Sequence, residues 1–412
     1  LTDIYWVGKL GTAPVAAITL FAAMAWILGS TNQIVGTGSV ALISRRFGEK
    51  RFEATRDVVR QTLLLKFTIA ALMGALGLLV APSVLRFMTD DAATRELALQ
   101  YGNIFFIGLP FMFSSYTIYT ALRGVGDAPK AMYIMLMSTI MNIGLDPLFI
   151  FHFNMGIAGA ALATAISATC AVFVGLWVIS SGKSNLRVPI WSRFHPRISI
   201  MLEILRIGLP AGLNGLLRSL AHWYVATLVA TFGTVVIAAY GLSLRIMELG
   251  ILFAVGLELG IGTVVGQNLG ANQKDRAHEA VVKATLLVLA LTGVLGLIEI
   301  GFSAEILGLF SSDPVVVSTG IPLIRLMAVA QVMIAMHIVM SSAFFGSGNT
   351  WPPTVIAAIT EWVIQVPLVL GAIHLLHTNQ TGVWWAMFIA ACVEVLMTFI
   401  WFQRGHWKHQ KV

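Results

Sequence analysis

The chain has 412 residues, 58% of them hydrophobic and only 11% charged, with a mean hydropathy of +0.85. A soluble domain carries about 25% charged residues, so this composition excludes one and calls for lipid. The net charge of +7 does not point to nucleic acid, because the basic residues sit in connecting segments and form no aromatic-basic surface.

Long apolar windows recur along the chain, each sufficient to cross a bilayer core as a helix. Backbone groups in lipid must be satisfied internally. A β-barrel would need short alternating segments, and runs such as "LLLKFTIAALMGALGLLVAP" do not alternate. The expected fold is an all-α integral membrane protein. One partial helix ends near Gly8, and eleven complete ones run over 13–44, 61–86, 97–121, 131–151, 156–180, 202–230, 234–268, 281–304, 316–345, 353–376 and 382–403. Cys170 and Cys392 both fall inside these spans, which implies burial and no disulfide framework.

The connecting segments differ in charge. One alternate set holds Arg45, Arg46, Lys50, Arg51, Arg123, Lys130, Lys183, Arg187, Lys274, Arg276, Arg404 and Lys408 among others. The opposite set holds Lys9, Arg86 and Arg95 beside Asp90, Asp91, Glu305 and Asp313. The positive-inside rule assigns the first set, and with it the C-terminus, to the cytoplasm.

The chain also repeats. A shift of 222 residues brings "VGKLGTAPVAAITL" from Val7 onto "VATFGTVVIAAYGL" from Val229, and Gly124 and Gly126 onto Gly346 and Gly348. Two six-helix lobes in parallel orientation follow, an arrangement used by secondary transporters. The expected division is an N-terminal lobe over 1–180, a basic, proline-bearing linker over 181–200, and a C-terminal lobe over 201–412. The seventh helix begins near Met201, which the same offset carries to roughly 20 residues ahead of Leu1. The first helix is therefore expected to be truncated here, with Asp3 inside a span.

Polar residues break the apolar pattern unequally. Asp3 and Asp146 of the first half map onto Val225 and Leu368 of the second. Asn142 and Asp146 are four apart and share a helix face. Pro147 removes a backbone hydrogen bond and bends the helix or frees a carbonyl. Carboxylate, carboxamide and freed carbonyl make an oxygen-rich spot suited to a small cation or a proton. The alternative is that both side chains hydrogen-bond neighbouring helices. Thr164 is either a hydroxyl donor to the same spot or a small packing residue. Tyr101 either reaches the site or is an interfacial aromatic. Asn32 and Gln33 sit mid-span and either line a wet cavity or satisfy a bend. In the second half, Glu248 follows Arg245 by three residues, as an ion pair would. Glu361 and Gln365 form an i, i+4 pair, and Glu361 and, more weakly, Glu258 are candidates for a substrate cavity.

Enzyme signatures are absent: there is no G-x-x-x-x-G-K-[ST], H-E-x-x-H or G-x-S-x-G. The nine histidines are scattered, so neither a metal site nor a cofactor is expected.

"TDIYWVGKLG", "GTGSVALISRRFGEKR", "ALRGVGDAPK", "NIGLDPLFIF" and "GIAGAALAT" together resemble the multidrug and toxic compound extrusion (MATE) transporters. Within them the chain is most similar to the DNA-damage-inducible-F-like prokaryotic branch. The resemblance implies twelve helices in two lobes around a central cavity that opens alternately outward and inward. It implies a prokaryotic plasma-membrane antiporter, expected as a monomer. Small organic, often cationic compounds would be exported against H⁺ or Na⁺, with membrane lipid as the other partner. Its cation-coupling residues would match Asp3, Asn142, Asp146 and Thr164, with Tyr101 a looser match. Pro147 and Gly144 are expected to form a hinge beside them. A lipid-linked oligosaccharide flippase of the same superfamily is the rival reading, since Arg218, Arg245 and Arg325 lie in or near spans.

Overall fold

Ten helices among the described residues are long and apolar enough to cross a membrane. The computed structural model of the chain describes residues 2–189 and 195–410. In the first half, α1 spans Thr2–Gly8, α2 Thr12–Gly48, α3 Phe52–Met88, α4 Ala92–Gly124, α5 Ala128–Pro147 and α6 Ile157–Ser180. After α7, Ile198–Ala230, come α8 over Thr234–Gly270, α9 over Lys274–Gly301, α10 over Ser303–Gly308 and α11 over Pro314–Ser347. Then α12 spans Trp351–Ala357, α13 Val366–His374 and α14 Gln380–Gln403. All eleven complete spans read from hydropathy are helical. Several run further than their apolar cores: α3 starts at Phe52, because its first turns carry charge that a hydropathy window rejects but a helix projecting beyond the bilayer accepts.

Two spans widen into π-helical turns, Leu148–His152 after α5 and Ala358–Gln365 between α12 and α13. Each lies beside a proline, Pro147 and Pro367. Proline offers no N–H and clashes with the carbonyl four residues back, and a wider turn re-registers the hydrogen bonds.

The repeat survives in the backbone. Shifting α2, Thr12–Gly48, by 222 residues gives Thr234–Gly270, the bounds of α8. The turns match too. Positive φ recurs at Gly11 (118°) and Gly233 (105°), at Lys50 (59°) and Asn272 (58°), and at Gly126 (77°) and Gly348 (80°). In the first half α4 packs against α2, α3, α5 and α6, and in the second its counterpart α11 packs against α8, α9 and α14. These two are the most enclosed spans, with 56% of their most apolar window buried in each. α3 and the α5 span bury only 17% and leave apolar side chains such as Leu72, Leu79 and Ile140 exposed, as a lipid-facing surface requires.

The chain divides into two compact units, Leu1–Gly208 and Leu209–Val412. The division falls inside α7 rather than in the expected 181–200 linker, of which 190–194 lie outside the described residues. The linker and the start of α7 are held by the first unit. Arg56 Nε donates to the Arg187 carbonyl at 2.7 Å, Gln61 Nε2 donates to the His195 carbonyl at 2.9 Å, and Arg197 pairs with Asp57 at 2.6 Å. Arg46 reaches Glu203 on α7 at 2.8 Å.

Candidate functional site

In the first unit three helices bring the expected residues together. α1 supplies Asp3, α5 supplies Asn142 and Asp146, and α6 supplies Thr164. Helical periodicity puts Asn142 over Asp146, and Asn142 Nδ2 donates to Asp146 Oδ1 at 3.3 Å. The same amide nitrogen donates to Thr164 Oγ1 at 3.2 Å. Thr164 in turn donates its hydroxyl hydrogen to Asp3 Oδ2 at 3.0 Å. Two carboxylates from helices far apart in sequence are thus joined through one amide and one hydroxyl. Asp146 is completely buried. α1 is fixed there by the edge of Trp6 against Phe151 of the π-helical turn, 6.1 Å between ring centres.

Chemically this is a cluster of oxygens from two acids, an amide and a hydroxyl, which a bound cation or proton would share. Tyr101 is buried beside it, stacked on Phe105 at 6.2 Å and edge-on to Phe21 at 5.2 Å. Pro147 ends α5 where the π-helical turn begins. Gly144 is exposed, with open space where a side chain would stand.

The other mid-span polar residues of the first unit go elsewhere. Asn32 Oδ1 accepts from the ammonium of Lys66 at 2.7 Å. Lys66 is completely buried and lies 4.4 Å from the centre of the Tyr116 ring. Gln33 is exposed. Lys66 was legible as the single charge inside an apolar run, "LLLKFTIA", but nothing local names Asn32 as its partner.

The second unit holds a charged cluster that sequence spacing does not reveal. Arg218 of α7 donates from Nη1 to Glu361 Oε1 at 3.3 Å, and from Nη2 to Glu394 Oε1. Its Nε donates to Asn214 Oδ1 at 3.1 Å. His337 Nε2 lies 2.9 Å from Arg218 Nη2, and His337 Nδ1 lies 2.7 Å from Thr398 Oγ1. Thr398 spends its only hydroxyl hydrogen on the Glu394 carbonyl, 2.8 Å away. Its oxygen therefore accepts from Nδ1–H, and His337 is the neutral tautomer that accepts from the guanidinium. Glu361 thus joins an ion cluster. Arg245 and Glu248 form the expected pair at 3.2 Å, both exposed. Val225 and Leu368, the counterparts of the first-unit acids, carry no charge, and Val225 is core.

Fold and site together define a multi-pass, all-α membrane transporter with ionisable groups buried between its helices. The chain belongs to the MatE family, whose profile matches residues 1–148 and 210–370. It is 29% identical over 420 residues to "Probable multidrug resistance protein YoeA" of Bacillus subtilis (strain 168), covering 100% of this chain and 90% of that one. It is 27% identical over 418 residues to "Multidrug export protein MepA" of Staphylococcus aureus (strain N315), covering 98% and 89%. A solved structure described as the outward-facing conformation of a multidrug resistance MATE family transporter of the MOP superfamily superposes with a TM-score of 0.91. It shares 25% identity and covers 100% of this chain and 92% of that chain.

Proposed function

We propose that the protein exports small organic, often cationic, compounds across the plasma membrane of a prokaryote, in exchange for H⁺ or Na⁺. The observation that carries this reading is the relay Asp146–Asn142–Thr164–Asp3 across three helices. The printed names of the relatives, multidrug resistance and multidrug export, supply the substrate class. The same four residues are the reason to group the chain with the DNA-damage-inducible-F-like branch.

In the cycle we infer, the first unit opens outward with both carboxylates charged. H⁺ or Na⁺ binds between Asp3 and Asp146, with Asn142 and Thr164 completing its oxygen shell. Neutralising the pair changes the bend at Pro147 and Gly144 and weakens the hold on the exported compound. The compound leaves, access switches, and the cation escapes to the cytoplasm, where the basic segments and the C-terminus lie. Coupling requires the compound and the cation to favour different states.

The flippase reading asks for a cationic cavity. Arg218 is shared between two glutamates, Arg245 is paired with Glu248, and Arg325 Nε donates to Ser303 Oγ at 3.0 Å. These pairings weigh against it.

The test is efflux of a fluorescent cationic dye from proteoliposomes under an imposed pH or Na⁺ gradient. Asp146→Asn is expected to abolish gradient-driven efflux while the protein stays folded, and the gradient that drives the parent names the ion. Efflux persisting in the variant under both gradients would overturn the site.

A further inference from the structure

The first unit contains a groove of about 280 Å³ between α3, α4 and α6 that the exchange cycle above does not use. Leu63, Leu64 and Phe67 of α3, Phe111 of α4, and Phe173 and Leu176 of α6 form its walls. The hydroxyl in its lining, that of Ser114, is spent on the Pro110 carbonyl at 2.6 Å. Among the described lining residues Arg60 alone is charged. The groove opens toward lipid. Phe67 and Phe173 are 45% and 60% exposed, which only contact with acyl chains makes favourable.

Its charge lies at one end. Arg60 stands about two turns into α3, and Phe67 lies about 10 Å further along the axis. There Phe67 meets Phe111 edge-on, 6.2 Å between ring centres. Arg60 Nη2 donates to the Pro189 carbonyl, which holds the guanidinium at the mouth. The end of α6 lies on the same side, because Arg56 donates to the Arg187 carbonyl and Arg187 Nε donates to the Ser180 carbonyl at 3.2 Å. Trp177 follows Phe173 by four residues and shares its face. It is exposed, and Lys183 Nζ lies 3.9 Å from its ring centre. The neighbouring carboxylates are committed to other cations: Glu53 to Arg56, Asp57 to Arg197 and Asp127 to Lys130. An apolar groove thus ends in a basic mouth flanked by an interfacial tryptophan.

We propose that this groove binds one anionic phospholipid from the leaflet on the basic side of the membrane. Its phosphate rests on Arg60, its headgroup lies beside Lys183, and an acyl chain runs inward to Phe67 and Phe111. The chain supplies little selectivity, because every lipid tail is as apolar as the groove. Selection comes from the headgroup. A guanidinium fork matches the oxygens of a phosphate. A headgroup of net negative charge also gives Lys183 a partner, whereas a zwitterionic one brings its own cation. The bound lipid would tie α3 and α6 to the segment that leads into α7. The site does not depend on which ion drives export.

Native mass spectrometry of the full chain, titrated in detergent with dioleoyl phosphatidylglycerol or dioleoyl phosphatidylcholine, tests it. The first phosphatidylglycerol should bind about tenfold tighter or more, since each basic residue at the surface is worth about fivefold. Arg60→Gln and Lys183→Gln should each weaken it about fivefold. Leu63→Trp, which fills the groove, should weaken it as well. Lys283→Gln removes the same charge from an exposed position of the second unit and should leave it unchanged. Lys183 is exposed, so its variant decides the headgroup question should Arg60→Gln fail to fold. Equal affinity for the two lipids, equal losses in Lys183→Gln and Lys283→Gln, or no loss in Leu63→Trp overturns the proposal. Glycerol 3-phosphate binding as tightly as the lipid overturns it too, and makes the mouth a site for free phosphate.

Discussion

Thr164 Oγ1 donates to Asp3 Oδ2 at 3.0 Å, joining α1 to α6 with a single hydroxyl that also accepts from Asn142 on α5. Three helices converge on that oxygen. Without it, this hydrogen-bonded path from Asp3 to Asn142 and Asp146 would be broken.

Thr164→Val keeps the shape and removes both hydrogen bonds. Interhelical hydrogen bonds in membranes are worth about 0.6–1.7 kcal/mol each. The concentration of coupling ion giving half-maximal efflux should therefore rise about three- to eighteen-fold per bond lost. Thr164→Ser should restore it. The check is ion-dependent dye efflux in proteoliposomes, and an unchanged half-saturation in the valine variant would remove Thr164 from the site.

Pro147→Ala restores an N–H at the point where α5 gives way to the π-helical turn Leu148–His152. An interior proline costs a helix about 3 kcal/mol, so the variant should be no less stable than the parent. Efflux should nonetheless slow, because the bend loses its built-in site. Thermal unfolding in detergent and dye flux, measured on one preparation, distinguish this outcome from simple misfolding.

Gly38 on α2 and Gly208 on α7 each lie against the backbone of the other helix in the first unit. A Cβ at Gly38 would stand 2.0 Å from the Ile204 carbonyl oxygen, and one at Gly208 would stand 1.8 Å from that of Ile34. Backbone cannot yield as a side chain does, so each alanine substitution should cost about 1–3 kcal/mol or more. A lowered unfolding temperature for Gly208→Ala, beside no change for the open position Gly144→Ala, is the expected pattern.

Lys66 and Asn32 should behave as a unit. Lys66→Met leaves the Asn32 carbonyl without its 2.7 Å donor, at a cost of about 1–3 kcal/mol. Asn32→Leu strands a buried ammonium and should cost more, since hydrogen bonds to charged groups are worth about 1.5–3 kcal/mol. The double variant should recover most of the loss. A double-mutant cycle on unfolding temperature reads the coupling, and additive single losses would mean that the pair does not act together.

Much of this protein was readable in one dimension. The helical spans follow from apolar length alone, because lipid leaves the backbone no other way to satisfy its hydrogen bonds. The repeat follows from matching glycines, and the recurrence of positive φ at Gly126 and Gly348 gives the physical reason those residues match. The Asn142–Asp146 contact was legible because residues four apart on a helix are neighbours.

What sequence could not supply was the rotation of each helix about its axis. In a soluble protein a hydrophobic stripe names the inward face, but a span that is apolar all round carries no such stripe. The sequence by itself determined that the chain is built of long apolar helices, which charges lie at their ends and that Asp146 must have company. Only the tertiary structure decided that Thr164 carries Asp3 to that company, that Lys66 rests on Asn32, and that Arg218 stands between Glu361 and Glu394. Those contacts join residues up to 176 positions apart, and they exist only once each helix has turned a particular face to its neighbours.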